Sequence, residues 1–181
     1  MSRTASRLLV PVLCAASAWS GFAAAGSAAP VVDAPFHPHF PKRLECFVNK
    51  DVKITVRYQT VTFDRDGAAK MKPGQSWHLA GATLELSQDL RIGGRDVGKG
   101  RYALSARKTE KGWELTLHEG RGFSKPGDDA IALQTTLDTE APLFEHMNID
   151  VQPAGDKEHT RVQLEVRFDT LKATTLIEVP K

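Results

Sequence analysis

The chain has 181 residues, with 24 Lys and Arg against 22 Asp and Glu, and 41% of its residues are hydrophobic. Two of the basic residues, Arg3 and Arg7, fall in the leader described next, so the 22 that remain balance the 22 acidic ones. That neutral body lacks the basic excess a nucleic-acid backbone demands, and of the two cysteines only Cys46 lies beyond the leader, which excludes an internal disulfide framework.

In chain order, Arg3 and Arg7 precede an apolar run, Leu8 to Trp19, and the small residues Ala23-Ala24-Ala25 follow it. This three-part pattern predicts a cleavable secretory leader over residues 1–25, hence export to the periplasm or the extracellular space. The run falls short of the ~20 residues a membrane helix needs, and Pro11 fits a buried helix badly. Leu13 precedes Cys14, where a lipoprotein would carry a small residue. No second long apolar stretch follows, so no membrane span is expected in the mature chain. Residues 26–43 read as an Ala/Pro-rich tether, and 44–181 as a single domain long enough for a real core.

The tether holds Phe36-His37-Pro38-His39-Phe40. Two imidazoles so spaced can chelate copper or zinc, but no ligand beyond Asp33 lies near, and a flexible aromatic segment is the preferred reading of His37 and His39. Cys46, between Leu44 and Phe47, reads as a small buried hydrophobe.

The domain then alternates with period two. Val52, Ile54, Val56 and Tyr58 share one phase, and so do Trp113, Leu115 and Leu117. Met147, Ile149 and Val151 form a third run, and Val162, Leu164, Val166 and Phe168 a fourth. Each predicts a strand with one dry and one wet face. His118 and His146 take the polar phase and are expected on a wet face. No long window shows a helical stripe; residues 138–144 allow one turn, limited by Pro142. Gly, Pro and Asp clusters separate the runs, as at Asp64-Arg65-Asp66-Gly67 and Lys72-Pro73-Gly74. Asp64 and Asp66 have the first spacing of a calcium loop but lack the later ligands, so a turn is preferred. Together these elements predict an all-β domain, an antiparallel sandwich or a partly open barrel.

One stretch tests this reading. Gly93 to Gly100 (GGRDVGKG) comes close to the phosphate-binding pattern G-x-x-x-x-G-K-[ST]. A phosphate loop needs a helix on its exit side. Here Tyr102, Leu104 and Ala106 alternate instead, and Gly100 stands where the magnesium-holding hydroxyl belongs. Two glycine turns bracketing a three-residue link account for every residue.

The segment Trp77 to Gly120 resembles the bacterial domain-of-unknown-function family 2911. Trp77, Gly81, Ala82 and Thr83 match the first part of its pattern, Gly94, Gly100, Tyr102 and Leu104 the second, and Gly112 and Trp113 the third. Val52 to Tyr58 resembles the family's early strand and Val162 to Val179 its closing pair, with Phe168 in the place of a tryptophan. His78 stands where the family carries arginine, and its asparagine after the Gly/Ala step is missing. Its Gly-Arg stretch is missing around Asp64 to Lys72. The resemblance implies an all-β fold and supplies no catalytic residue.

No nucleophile elbow is present, and Ser76, Ser87, Ser105 and Ser124 lack neighbours that mark an activated hydroxyl. Trp77 stands before Ala80-Gly81-Ala82, where small side chains leave room beside the ring. A cleft with Trp77, His78 and Glu85 is the candidate ligand site; an indole packed over small neighbours is the plainer reading. The favoured function is non-catalytic, without a cofactor: binding a small molecule, a glycan or an envelope protein. A hydrolase using His78 with Glu85 is the alternative, and metal handling through His37 and His39 a third.

Overall fold

The alternating runs form strands because burying every second side chain leaves the others in water, and the pleat separates the two sets. The structure, a computed structural model, describes residues 39–127, 129–155 and 160–180. The expected leader, most of the tether and His37 lie outside these residues.

The chain runs through β1 (Pro41–Phe47), β2 (Lys53–Gln59), helix α1 (Arg65–Lys70), β3 (Ser76–Trp77) and a 3-10 turn (Leu79–Gly81). It continues with β4 (Thr83–Leu86), β5 (Leu90–Ile92), β6 (Arg95–Val97), β7 (Gly100–Thr109) and β8 (Gly112–Glu119). Then come β9 (Ile131–Ala132), β10 (Thr136–Asp138), β11 (Phe144–Pro153), β12 (Arg161–Asp169) and β13 (Leu171–Glu178). Strand begins at Pro41, three residues ahead of the domain start expected at Leu44.

Two antiparallel sheets result. The first has seven strands in the order β1-β2-β4-β7-β8-β9, with β3 also on β7. The second has six, in the order β11-β12-β13-β5-β6, with β10 also on β13. Each strand order is an open path, so the domain is a sandwich and not a barrel. Apolar side chains of both sheets, among them Ile54, Leu84, Leu104 and Leu115 from the first and Ile149, Leu164, Val166 and Ile177 from the second, share one core. Each such side chain contributes about 1.5–3 kcal/mol on burial.

The chain changes sheets repeatedly. Between β4 and β7, both in the first sheet, the β5–β6 hairpin pairs into the second through β13. Residues 131–138 pass the other way, from β8 through β9 to β10 on β13. After β2, Thr62 bridges to His146 on β11, and the Met147 amide donates to the Val61 carbonyl at 2.8 Å.

The glycine stretch is the β5–β6 hairpin and its exit. Gly93 and Gly94 have φ of 54° and 74°, the left-handed pair of a two-residue hairpin. The expected three-residue link is β6 itself. Gly100 opens β7 without a positive φ, so its place needs no left-handed backbone. Tyr102 closes the turn: its hydroxyl donates to the Gly98 carbonyl at 2.8 Å. Burial raises the Tyr102 phenol above its usual range, and Glu119 and Asp89 add to the shift, so the proton that makes this bond is retained.

Two local expectations need correction. Residues 138–144 hold no helical turn; the short helix is α1, at the predicted Asp64–Gly67 turn. Asp64 caps it, its carboxylate accepting from the Gly67 amide at 2.9 Å. His118 is not on a wet face. It is only 3% exposed, because the loop after β8 folds back over the outer face of the first sheet.

Candidate functional site

At one end of the sandwich, aromatic side chains from both sheets meet. Phe168 on β12 is fully buried, with its ring centroid 4.9 Å from Phe63, 4.9 Å from Trp77 and 6.3 Å from Trp113. The contacts with the two indoles are edge-to-face, the arrangement the ring quadrupoles favour. Phe63 lies on the segment that crosses between the sheets, Trp77 on β3 and Trp113 on β8.

Above this cluster is a pocket of about 430 Å³, lined chiefly by Val61, Phe63, Ala68, Met71, Trp77 and Trp113, with Asp64 and Thr62 as polar groups at its wall. That volume lies within the range of small-molecule sites. Helix α1 and Met71 form one side. The helix buries no side chain of its own and is tied down by an ion pair between Arg65 and Asp169, at the β12–β13 turn. Gly67 leaves room for the cap: a Cβ there would lie 2.2 Å from Asp64 Oδ2 and push the capping carboxylate aside.

The opposite wall is strained. Leu79, Ala80 and Gly81 have φ of 43°, 52° and 73°, a single left-handed turn. Such backbone costs a non-glycine residue about 1–2 kcal/mol, and strain of this kind collects at functional sites. Ala80 faces the pocket. On the far side, the place a Gly81 Cβ would occupy is 2.4 Å from the Phe123 ring, and a Gly122 Cβ would lie 1.9 Å from the Gly81 carbonyl oxygen. The loop after β8 therefore clamps the turn from behind. Ala80→Gly is expected to leave stability unchanged or raise it by up to about 1 kcal/mol, since relief of strain offsets the added freedom of the unfolded chain. Urea unfolding tests this; a loss above about 1 kcal/mol would show that Ala80 is unstrained.

Trp77 is thus both packed against aromatic neighbours and exposed to the pocket. His78 and Glu85 do not line it. His78 starts the 3-10 turn, half-buried, and its Nδ1 is buried without a hydrogen-bond partner. Glu85 lies on the outer face of the first sheet, 3.2 Å from Arg101 and 3.9 Å from Arg57. No hydrogen bond joins His78 to Glu85. His39 is exposed, and no cluster of three His, Cys, Asp or Glu suited to a metal occurs among the described residues. Cys46 is half-buried against the core, although Phe47 beside it is 64% exposed. Burial, and then the charge of Asp150, raises the Cys46 thiol, which keeps it protonated.

One histidine–serine contact was not legible in the sequence. His118 Nε2 lies 2.9 Å from the Ser124 carbonyl oxygen and 3.0 Å from Ser124 Oγ. The hydroxyl donates to the Arg121 carbonyl at 2.5 Å. With the tautomer that donates from Nε2 to the Ser124 carbonyl, the ring has no lone pair for that hydroxyl, and His118 Nδ1 meets no carboxylate. The pair closes the loop and does not assemble a nucleophile.

Fold and site together define an antiparallel β-sandwich with an aromatic-walled pocket at one end. The chain belongs to the family described as protein of unknown function DUF2911, whose model matches residues 42–177. No curated protein and no solved structure matches it.

Proposed function

We propose that this is a non-catalytic binding protein acting outside the cytoplasm, and that its Trp77 pocket takes a small ligand with a flat apolar face. The observation that carries this reading is the pocket wall: Phe63, Trp77 and Trp113 with Met71 and Ala68, against few polar groups. Aromatic faces and a pliant thioether suit an apolar guest, and the carboxylate at the wall, Asp64, is engaged in capping α1. The basic N-terminal start with its apolar run supports the location.

The neutral fluorescent probe N-phenyl-1-naphthylamine tests the site. It is expected to bind one per chain and quench tryptophan emission. Trp77→Ala is expected to weaken binding about tenfold or more, and Trp77→Phe much less. Binding that Trp77→Ala leaves unchanged would place the ligand elsewhere.

A further inference from the structure

Strand β1 is an edge of the first sheet, and its pairing with β2 settles which backbone groups it leaves unused. The Thr60 amide donates to the Phe40 carbonyl and the Val48 amide to the Val52 carbonyl. The register between these points is continuous, through Lys42↔Tyr58, Leu44↔Val56 and Cys46↔Ile54. In an antiparallel ladder the bonded residues alternate. Residues 42, 44 and 46 therefore bond to β2, while the backbones of Pro41, Arg43, Glu45 and Phe47 point away from the sheet. Among the described residues, no strand other than β2 pairs with β1. Pro41, with no amide hydrogen to leave unpaired, stands at the strand's first position.

The side chains on this edge are arranged symmetrically about Leu44. Arg43 and Glu45 flank it with opposite charges, both on the outer face, since Leu44 and Cys46 pack toward the core. Charged side chains and proline commonly guard an edge, and β1 carries Pro41, Lys42, Arg43 and Glu45. Within the chain Arg43 pairs with Glu45, and Glu45 with Lys53 at 3.3 Å; against a second antiparallel copy centred on Leu44, Arg43 and Glu45 would meet opposite charges and not like ones.

We propose that two copies of this chain pair through β1, antiparallel and two-fold about Leu44, joining their first sheets into one. In this register Arg43 lies opposite Glu45 of the second copy, and Glu45 opposite its Arg43. Their outward amides and carbonyls bond to each other, and the Phe47 amide reaches the Pro41 carbonyl of the other chain. Leu44 meets its own copy at the axis, in the closely spaced kind of antiparallel pair. Phe47, exposed in one copy, gains Pro41 as a neighbour. Lys42 comes opposite Cys46 of the second copy, near the carboxylate of Asp150. The interface is isologous and closes on itself, so it yields dimers and not fibres. It is independent of the pocket.

Sedimentation velocity over a micromolar concentration series tests the pairing on the full purified chain. The unaltered chain is expected to dimerise. Arg43→Glu alone and Glu45→Arg alone should each raise the dimer Kd on the order of tenfold or more, because each places like charges face to face twice. An equimolar mixture of the two variants restores both opposite-charge pairs and should recover a heterodimer, as should the double variant R43E/E45R as a homodimer. A monomer at all concentrations for the unaltered chain would overturn the proposal. So would a dimer that both single reversals leave intact, or failure of the mixture to recover association.

Discussion

Gly93→Ala is expected to lower stability by about 3 kcal/mol or more, while Gly100→Ala changes it by less than about 0.5 kcal/mol. Both glycines belong to the stretch that resembles a phosphate loop. At Gly93 the backbone is left-handed, and it is used on both sides. Its amide donates to the Leu176 carbonyl at 2.8 Å, and its carbonyl accepts from the Gln134 amide at 3.0 Å. A Cβ would sit 2.7 Å from the Gln134 nitrogen and 2.7 Å from the Leu133 Cβ. Those atoms belong to the crossing segment between the sheets, so they cannot yield without disturbing β9 and β10. At Gly100 the φ is ordinary and the nearest atom to an added Cβ is in the Tyr102 ring, at 3.5 Å. Urea unfolding of the two variants checks the contrast. Equal losses would mean that the hairpin is not seated as described.

Phe168→Ala is expected to cost about 3–5 kcal/mol. The ring is fully buried and touches each aromatic member of the pocket wall, so truncation leaves a void where edge contacts with Trp77 and Trp113 had been. The same change deepens the pocket. If the variant remains folded at low temperature, it should accept bulkier apolar probes than the parent, with blue-shifted probe emission. A stability loss below about 1 kcal/mol would show that the cluster is loosely packed. Phe168→Leu, which keeps most of the volume, should lie between the two.

Much of the fold was legible because alternation is a local signal. The β2, β8, β11 and β12 runs each carry it, and the glycine pair at 93–94 announces a hairpin. Strand β7 shows where that signal stops. Ala103 and Ser105 are as buried as Leu104, although they point to the other face. Nothing near them in sequence tells that a loop some twenty residues later lies across that face. The burial of His118 is hidden from the sequence for the same reason. Gly67 inside helix α1 gives the segment the signature of a turn, yet Asp64 ahead of Ala68-Ala69-Lys70 is a serviceable cap signal. The site was half legible. Trp77 beside small residues points to the pocket, but Phe63 and Met71 reach it from the crossing between the sheets, and Phe168 packs beneath it from β12. Glu85 follows Thr83 in phase, and that phase turns it to the opposite face from Leu84.

The β5–β6 hairpin also sets a clock. Its strands are made early, between two strands of the first sheet, but the neighbour that receives them is β13, Leu171–Glu178. A chain growing from its N-terminus can lay down β1, β2, β4, β7 and β8 as a nearly sequential sheet while the hairpin projects from it without a partner. The second sheet has no member to hold that hairpin until its last strand has been synthesised. Completion of the sandwich therefore waits for β13, and until that strand is in place Leu90, Ile92 and Val97 remain open to whatever binds unfinished chains.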